Sequence, residues 1–189
     1  MSDIERILAE SRMNLQRGRA VATGIGVFAV VIDGKGNPLL RRRLETDSLY
    51  GQDLSGKWEM TGGGVELAHF TPGDSRYRKA ILEALAQELY EEAGLRLVDI
   101  PDPLSLIPAW FCRDYERDGE RRTSIDLAFS LPLLFVEGRF LRVTDEFYAK
   151  IKAGELMFVP WEKLGEIEIV SPRTRFLITE ALRVQGTSM

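Results

Sequence analysis

The longest apolar stretch of the chain lies near its beginning, over residues 21–33, and it is rich in Val, Ile and Phe. A continuous apolar run of this composition predicts a strand that is buried on both faces. The next five residues, 34–38, are Gly-Lys-Gly-Asn-Pro, which is the composition of a turn. We therefore expect residues 39–43 to be the return strand of a hairpin, which ends in three consecutive arginines.

Three segments have the periodicity of amphipathic helices. Residues 77–92 carry an apolar face made of Ile81, Leu82, Leu85 and Leu89. An N-terminal extension, residues 1–20, carries a similar stripe and predicts a helix. Ser171 followed by Pro172 predicts the start of a C-terminal helix over 171–185, because serine caps helices and proline favours the first helical position.

Shorter apolar segments predict further strands around Trp58 and over 95–100, 106–115, 123–136 and 155–161. The segments on either side of 117–120 are expected to form a hairpin. Pro132 predicts that the second strand of this hairpin lies at a sheet edge or carries a bulge, because proline cannot donate to the ladder. Residues 143–153 predict a loop or a short helix. Together these elements favour an α/β (α+β) fold, an α/β/α sandwich around a mixed sheet, in a single domain of residues 1–189.

Composition narrows the classes of function. The chain of 189 residues has a net charge of −4, which gives no general attraction to a nucleic acid polymer or to an anionic membrane. Its single cysteine, Cys112, makes neither an internal disulfide nor a thiolate metal cluster. The first residues lack a secretory signal pattern, and no apolar run has the length of a membrane span. We therefore expect a cytoplasmic protein.

The chemistry of the chain is concentrated at the end of the helix predicted over 77–92. Glu88, Glu91 and Glu92 have the spacing i, i+3 and i+4, which places three carboxylates on one helical face. Their repulsion would be relieved by a hard divalent cation such as Mg²⁺ or Mn²⁺. A solvated acidic face is the simpler alternative. Acids near a helix C-terminus oppose the helix dipole, however, and a broken local rule of this kind favours a functional site.

These residues resemble the signature of the Nudix hydrolases, a MutT-like family, which is Gly-x5-Glu-x7-Arg-Glu-U-x-Glu-Glu-x-Gly-U with U a bulky aliphatic residue. Residues 88–95, Glu-Leu-Tyr-Glu-Glu-Ala-Gly-Leu, match the second half of the signature at every fixed position. Upstream, Gly62, Gly63 and Gly64 are expected to form a turn at the end of a strand. They resemble the Pro-Gly-Gly turn of the family, with Thr61 in place of proline.

The chain departs from the signature in three ways. Gln87 stands where the family has arginine, and Lys79 stands where it has the first glutamate. About ten residues are inserted between the glycines and the helix, within the segment 67–78. We hypothesise that the two replaced side chains form a pair in the family that braces the loop, and that the brace is built differently here.

The resemblance implies a metal-dependent pyrophosphohydrolase, which cleaves the diphosphate linkage of a nucleoside diphosphate derivative or a related organic pyrophosphate. Mg²⁺ or Mn²⁺ would be held by Glu88, Glu91 and Glu92, close to Gly63, where no side chain intervenes. The general base is expected to be Glu88 within the signature or Glu146 outside it. All four glutamates are therefore candidate catalytic residues.

Other residues are candidates for binding a small nucleotide-type substrate. Arg42 or Arg43 would contact a phosphate, and the backbone of the three glycines would approach it closely. Tyr50 or Phe111 would stack on a base, although apolar packing explains both equally well. If the protein is a homodimer, the extension at 1–20 is the expected contact.

Two alternatives to the hydrolase stay open from the sequence. A catalytically impaired nucleotide-binding or regulatory domain on the Nudix fold is motivated by Gln87 and Lys79. An isomerase on the same fold is supported weakly, by Cys112 alone. The retained acid triplet favours hydrolysis, because a pure binding domain does not require three clustered glutamates.

Overall fold

The computed structural model describes residues 22–44, 53–65, 76–98, 109–117, 119–133 and 140–186. Most of the predicted insertion, the predicted N-terminal helix and Tyr50 lie outside these residues. Within the described part of the chain, no helix is both long and apolar enough to cross a membrane.

The described elements are nine strands, three α-helices and one short 3₁₀ helix. The strands are β1 (Ala22–Ile32), β2 (Leu39–Arg42), β3 (Trp58–Glu59), β4 (Thr61–Val65), β5 (Leu95–Leu97), β6 (Ala109–Arg117), β7 (Glu120–Pro132), β8 (Leu141–Val143) and β9 (Leu156–Phe158). The helices are α1 (Arg76–Ala93), α2 (Asp145–Ala153) and α3 (Pro172–Gly186), and the 3₁₀ helix is Trp161–Lys163. The predicted loop or short helix at 143–153 is therefore a helix.

A mixed four-stranded sheet with the order β4-β1-β7-β6 forms the centre. β1 and β7 run parallel, whereas the β1–β4 and β6–β7 pairs are antiparallel. The predicted hairpin around 117–120 is confirmed as β6 and β7. A second sheet has the order β3-β2-β9, and β5 pairs with β8.

Both faces of the central sheet are covered by a helix. The odd-numbered residues of β1, such as Val27, belong to the same apolar cluster as Leu85 and Leu89 of α1. Even-numbered residues, such as Val30, belong to a second cluster with Leu177 of α3. The alternation follows from the period of two along a strand. The predicted double burial of β1 and the predicted α/β/α sandwich are therefore confirmed.

The predicted hairpin between β1 and β2 is wrong. Between the two elements the pairing is an isolated bridge from Ile32 to Pro38, and β2 pairs with β3 and β9 in the second sheet. The turn at 34–38 was correctly predicted, but Pro38 donates no hydrogen bond that would extend the ladder. The chain thus leaves the central sheet and brings Arg41 of β2 to Glu92 of the acidic helix.

Two further predictions are corrected. Gly62, Gly63 and Gly64 do not form a turn, because they lie inside β4 and pair antiparallel with Phe28, Val27 and Gly26 of β1. Pro132 does not mark an edge strand, because β7 lies between β1 and β6 and Pro132 is its last residue.

The end of α1 is tied to the start of α2. Gly94 adopts φ 64° and donates to the carbonyl of Tyr90 at 3.0 Å, as expected for the glycine that stops a helix. Its own carbonyl accepts a hydrogen bond of 2.6 Å from the Thr144 hydroxyl, directly before α2. This contact fixes α2 beside the last turn of α1, where the acid triplet lies.

Candidate active site

The glycine strand β4 lies against the acidic face of α1. Gly63 has no side chain, and a Cβ at this position would overlap with Oε1 of Glu88. The Glu88 carboxylate therefore lies directly over the backbone of β4. The sequence analysis expected Gly63 to lie close to a bound metal, and it expected a turn where the structure has a strand.

Glu92 is the most enclosed member of the acid triplet. Its Oε2 accepts a hydrogen bond of 2.8 Å from the backbone N–H of Gly62, and its Oε1 lies 2.8 Å from a guanidinium nitrogen of Arg41. Burial raises the pKa of Glu92 to about 7, although Arg41 and the Gly62 N–H both lower it. Glu88 and Glu59 raise it further by repulsion. The local charge is therefore only partly compensated.

Glu88 has the same kind of environment. Burial raises the pKa of its carboxyl above the usual range, and repulsion from Glu91 and Glu59 adds to this effect. Arg41 acts in the opposite direction. Two neighbouring carboxylates that resist ionisation are a donor set that an added cation would stabilise.

Glu91 is engaged by other residues. Its Oε1 accepts a hydrogen bond of 2.9 Å from Gln87, and its backbone carbonyl accepts one of 3.1 Å from Lys150. Among the described residues, no three His, Cys, Asp or Glu side chains are close enough together to hold a metal ion. Glu88 and Glu92 fit a hard divalent cation in chemistry and proximity, whereas Glu91 would have to leave Gln87 to join them.

The hypothesis of a brace involving Lys79 and Gln87 receives no support. Lys79 lies 3.4 Å from Glu83, and Gln87 binds Glu91. The two residues are on one helix and about 12 Å apart along its axis at 1.5 Å per residue. The cation next to the acid cluster comes instead from Arg41, on β2.

Arg41 and Glu59 are site residues that the sequence analysis missed. Arg41 contacts both Glu59 and Glu92, and Arg43 lies 3.1 Å from Glu59. Arg42, between them, is exposed and belongs to the opposite face of β2. Successive side chains of a strand point to opposite faces, so Arg41 and Arg43 share a face that excludes Arg42. This period of two was the sequence signal that could have separated Arg42 from the other two arginines.

A cleft of about 960 Å³ extends from the acid pair across the central sheet. One end contains Glu88, Glu92, Arg43 and the three glycines of β4. Phe28 of β1 lies beside Gly62, and the far end contains Phe111 of β6 together with the charged residues Arg113, Asp126 and Arg173. The cleft thus joins an acidic end to an aromatic and charged end.

Of the predicted site residues Glu146 and Phe111, only Phe111 lines the cleft. Glu146 lies on α2, half exposed, with an oxygen 3.5 Å from Nζ of Lys150, and it is not among the described residues that line the cleft. Phe111 does line the cleft, and it contacts Phe176 edge to face with 5.8 Å between ring centroids. The structure therefore brings Phe111 and Glu88 to the cleft and leaves Glu146 outside it.

Asp126 is a buried carboxylate at the aromatic end of the cleft. Its Oδ2 accepts a hydrogen bond of 2.6 Å from Arg173, and only 3% of the residue is exposed. Burial raises the pKa of Asp126, against the opposing effects of Arg173 and Arg113. The sequence analysis missed this residue, although a single acid within the apolar run of β7 is unusual and was a visible signal.

We expect Arg173→Met to destabilise the protein by about 2–3 kcal/mol at pH 8, because it removes the guanidinium that hydrogen-bonds to the buried carboxylate of Asp126. The pKa of Asp126, already raised in the folded state, would rise further, so ionisation would cost folding free energy. The loss should therefore be smaller at pH 5 and should grow as pH rises through the folded-state pKa. Urea unfolding at both pH values measures it.

The matched control is Arg183→Met on the same helix. Arg183 pairs with Glu180 at 3.0 Å while 68% of its side chain is exposed, so its removal should change stability by less than about 0.5 kcal/mol. Equal losses in the two variants, or a loss in Arg173→Met that does not depend on pH, would contradict the importance of the Asp126 pair.

No family model matches the chain. An RNA pyrophosphohydrolase from Bartonella bacilliformis is 31% identical over 93 residues, which is 49% of this chain and 47% of that protein. The chain therefore matches about half the length of this curated relative.

Two solved structures are similar to this chain over 87% of its length. A mutT/nudix family protein from Listeria innocua has a TM-score of 0.52 and 20% identity, over 87% of this chain and 95% of that one. A MutT protein from Methanosarcina mazei Go1 has a TM-score of 0.45 and 19% identity, over 87% and 96% of the two chains.

Proposed function

Because the chain has the Nudix fold, we propose that it is a metal-dependent hydrolase. It would cleave the diphosphate linkage of a nucleoside diphosphate derivative or a related organic pyrophosphate. The resemblance to Nudix proteins indicated by residues 88–95 is confirmed by the likeness in fold. The curated relative, an RNA pyrophosphohydrolase, supports hydrolysis of a pyrophosphate in general terms.

The observation that carries the proposal is the position of Glu88 and Glu92 against the glycine strand at the acidic end of the cleft. A phosphate anhydride carries several negative charges, which repel an attacking water or hydroxide. The attack is hindered until cations neutralise the phosphate oxygens. Two carboxylates with raised pKa values beside an open backbone are suited to collect the cations that do this.

Glu88 and Glu92 would hold the metal, and Glu91 would join them by giving up Gln87. The bound divalent ion would supply charge neutralisation at the phosphate oxygens and a lower pKa for the attacking water. In the reaction, the water oxygen forms a bond to one phosphorus, and the bridging oxygen leaves that phosphorus with the bonding electron pair.

A carboxylate must accept the proton that the attacking water loses. Glu88 is the first candidate, because it lines the cleft and lies against the backbone of Gly63. Glu146 stays the candidate outside the signature, and it would have to act from beyond the cleft. Arg43 borders the acid pair, and Arg42 would contact a phosphate from the opposite face of β2.

The nucleoside would occupy the other end of the cleft. Phe111 lines that end and Phe28 lies between it and the glycines, and flat bases stack on aromatic rings. Asp126 and Arg173 add an acceptor and a donor at the same end. A cleft of about 960 Å³ has the volume of sites that enclose a small organic ligand.

A binding or regulatory domain without turnover is the second candidate. It is favoured by the ion pair between Arg41 and Glu92 and by the hydrogen bond between Gln87 and Glu91, because both engage carboxylates that a metal would need. In this case the cleft would bind a nucleotide while the acid triplet stays occupied by the side chains of the protein.

We expect turnover of at least one compound in a panel of nucleoside diphosphate derivatives, in the presence of Mg²⁺ or Mn²⁺. A 5′-phosphorylated RNA oligonucleotide belongs in the panel. Release of phosphate or nucleotide is measured with each metal and with a chelator. The chelator should reduce the rate to background, and Glu91→Gln should lower it about 10-fold or more if Glu91 joins the metal site.

Metal-dependent turnover that Glu91→Gln reduces would support the hydrolase. Tight nucleotide binding by the wild-type protein without turnover would contradict it and favour the binding domain. Turnover that is unaffected by the chelator would contradict the metal-dependent mechanism. Cytoplasmic location, a homodimer contact through residues 1–20 and a single domain stay predictions.

A further inference from the structure

A second cleft, of about 480 Å³, borders the cleft described above, which we call the main cleft, and shares Arg41, Arg43 and Glu92 with it. We call this second cleft the outer groove. Its cationic side chains are Arg41, Arg42, Arg43 and Lys150. Its carboxylates are Glu91, Glu92 and Glu155. Among its described lining residues Leu44 is the apolar side chain and none is aromatic, in contrast to the lining of the main cleft.

The acid triplet lies at the boundary between the two clefts. Glu88 lines the main cleft, Glu91 lines the outer groove and Glu92 lines both. Arg41 and Arg43 are also shared. A diphosphate held at this boundary would therefore direct one of its substituents into the main cleft and the other into the outer groove.

The linings of the two clefts suit different substituents. The main cleft has aromatic rings for a nucleoside, whereas the outer groove has Arg42, which is exposed, and Lys150, which reaches it from α2. Glu91 and Glu92 belong to the proposed metal site, so Glu155 is the remaining carboxylate among the described lining residues, and Glu146 lies 3.5 Å from Lys150 beside the groove. Guanidinium and ammonium groups bind phosphate oxygens by charge-assisted hydrogen bonds.

We propose that the outer groove binds an anionic group on the far side of the scissile linkage. The substrate class is then a nucleoside carrying three or more phosphates, or one whose diphosphate continues into another phosphorylated group, rather than a nucleoside diphosphate joined to an uncharged sugar. The inference rests on the proposed function, because it says which part of the substrate lies on each side of the same scissile linkage.

Lys150 also has a structural contact, which the test must separate from ligand binding. Its Nζ donates to the carbonyl of Glu91 at 3.1 Å and lies 3.5 Å from Glu146. Loss of this contact would affect the last turn of α1 and hence every substrate. An effect that depends on the charge of the leaving group would not arise in this way.

The experiment compares a nucleoside triphosphate with the diphosphate sugar of the same nucleoside, with Mg²⁺. In Arg42→Gln and Lys150→Gln, kcat/KM for the triphosphate should fall about 5- to 20-fold further than kcat/KM for the sugar derivative, mainly through KM. Glu155→Gln should act in the opposite direction and lower KM for the triphosphate.

The control is Lys152→Gln, which removes the same charge from the same helix. Lys152 is exposed and is not among the described residues that line the outer groove, so the ratio of the two kcat/KM values should not change. A ratio that Arg42→Gln and Lys150→Gln leave unchanged, or that Lys152→Gln shifts equally, would overturn the proposal while the hydrolase itself stands.

Binding is measured separately, so that the inference can be decided without turnover. Isothermal titration with inorganic triphosphate and Mg²⁺ should give a Kd that rises about 5- to 20-fold in Arg42→Gln and stays the same in Lys152→Gln. If the panel shows no hydrolysis, the proposed function fails. Absent binding, or binding that Arg42→Gln does not weaken, overturns the outer groove as an anion site.

Discussion

Glu92→Gln is expected to lower the rate of metal-dependent hydrolysis by about 10²- to 10³-fold while the protein stays folded. Glu92 is the carboxylate shared by the main cleft and the outer groove, and it contacts β4 through Gly62 and β2 through Arg41. Glutamine keeps the length and one acceptor oxygen, so the change mainly removes the charge. Steady-state kinetics with saturating Mg²⁺ measures the loss.

The same substitution should stabilise the metal-free protein at alkaline pH. Burial raises the pKa of Glu92 from 4.5 in the reference state to about 7 in the folded protein. Ionisation therefore costs folding free energy, and this cost is absent below about pH 4.5 and grows as pH rises through 7. Glu92→Gln removes the cost, so urea unfolding in chelator should show a gain of about 1–2 kcal/mol at pH 8 and little change at pH 4.5.

Glu83→Gln is the control for both measurements. Glu83 lies on the same helix, pairs with Lys79 at 3.4 Å and has a side chain that is 65% exposed. It should change neither the rate nor the pH dependence of stability. Full activity in Glu92→Gln would remove the carboxylate from the mechanism. A loss of stability at pH 8 would show that the pair with Arg41 outweighs the cost of burial.

What the sequence predicted correctly was mostly local. The helix α1, its apolar face and its stop at Gly94 follow from a 3.6-residue period and one glycine. The cap of α3 is similarly local, with the Thr174 N–H donating to Ser171 Oγ at 3.1 Å. The alternation in β1 between two buried faces was also predictable, because a long apolar run has no solvent-facing side.

What the sequence did not predict depends on contacts between distant segments. The choice of β3 and β9 as partners of β2 determines that Arg41 meets Glu59 directly across the ladder. Three consecutive arginines do not indicate which residue of another strand each of them will face. The same holds for Glu92, whose hydrogen bond to Gly62 joins positions 30 residues apart. The acid triplet was predicted, and the cation that accompanies it was not.

The substitution with the largest expected effect on folding is Gly62→Ala. Gly62 adopts φ 154°, and a Cβ there would overlap with the carbonyl oxygen of Val27 and lie 2.7 Å from the Phe28 Cα. Both atoms belong to the backbone of β1, which is buried and cannot yield cheaply. We expect a loss of about 3 kcal/mol or more in the free energy of unfolding, measured by urea titration.

The neighbouring glycines of β4 make the experiment specific, because the same methyl group meets three different surroundings within one strand. A Cβ at Gly64 would meet nothing within 4 Å, so Gly64→Ala should change stability by less than about 1 kcal/mol.

A Cβ at Gly63 would displace the flexible carboxylate of Glu88. Gly63→Ala should therefore keep most of its stability and lose activity, which measures the geometry of the acid pair independently of folding. If Gly63→Ala hydrolysed the substrate at the wild-type rate, the close approach of Glu88 to β4 would have no part in catalysis.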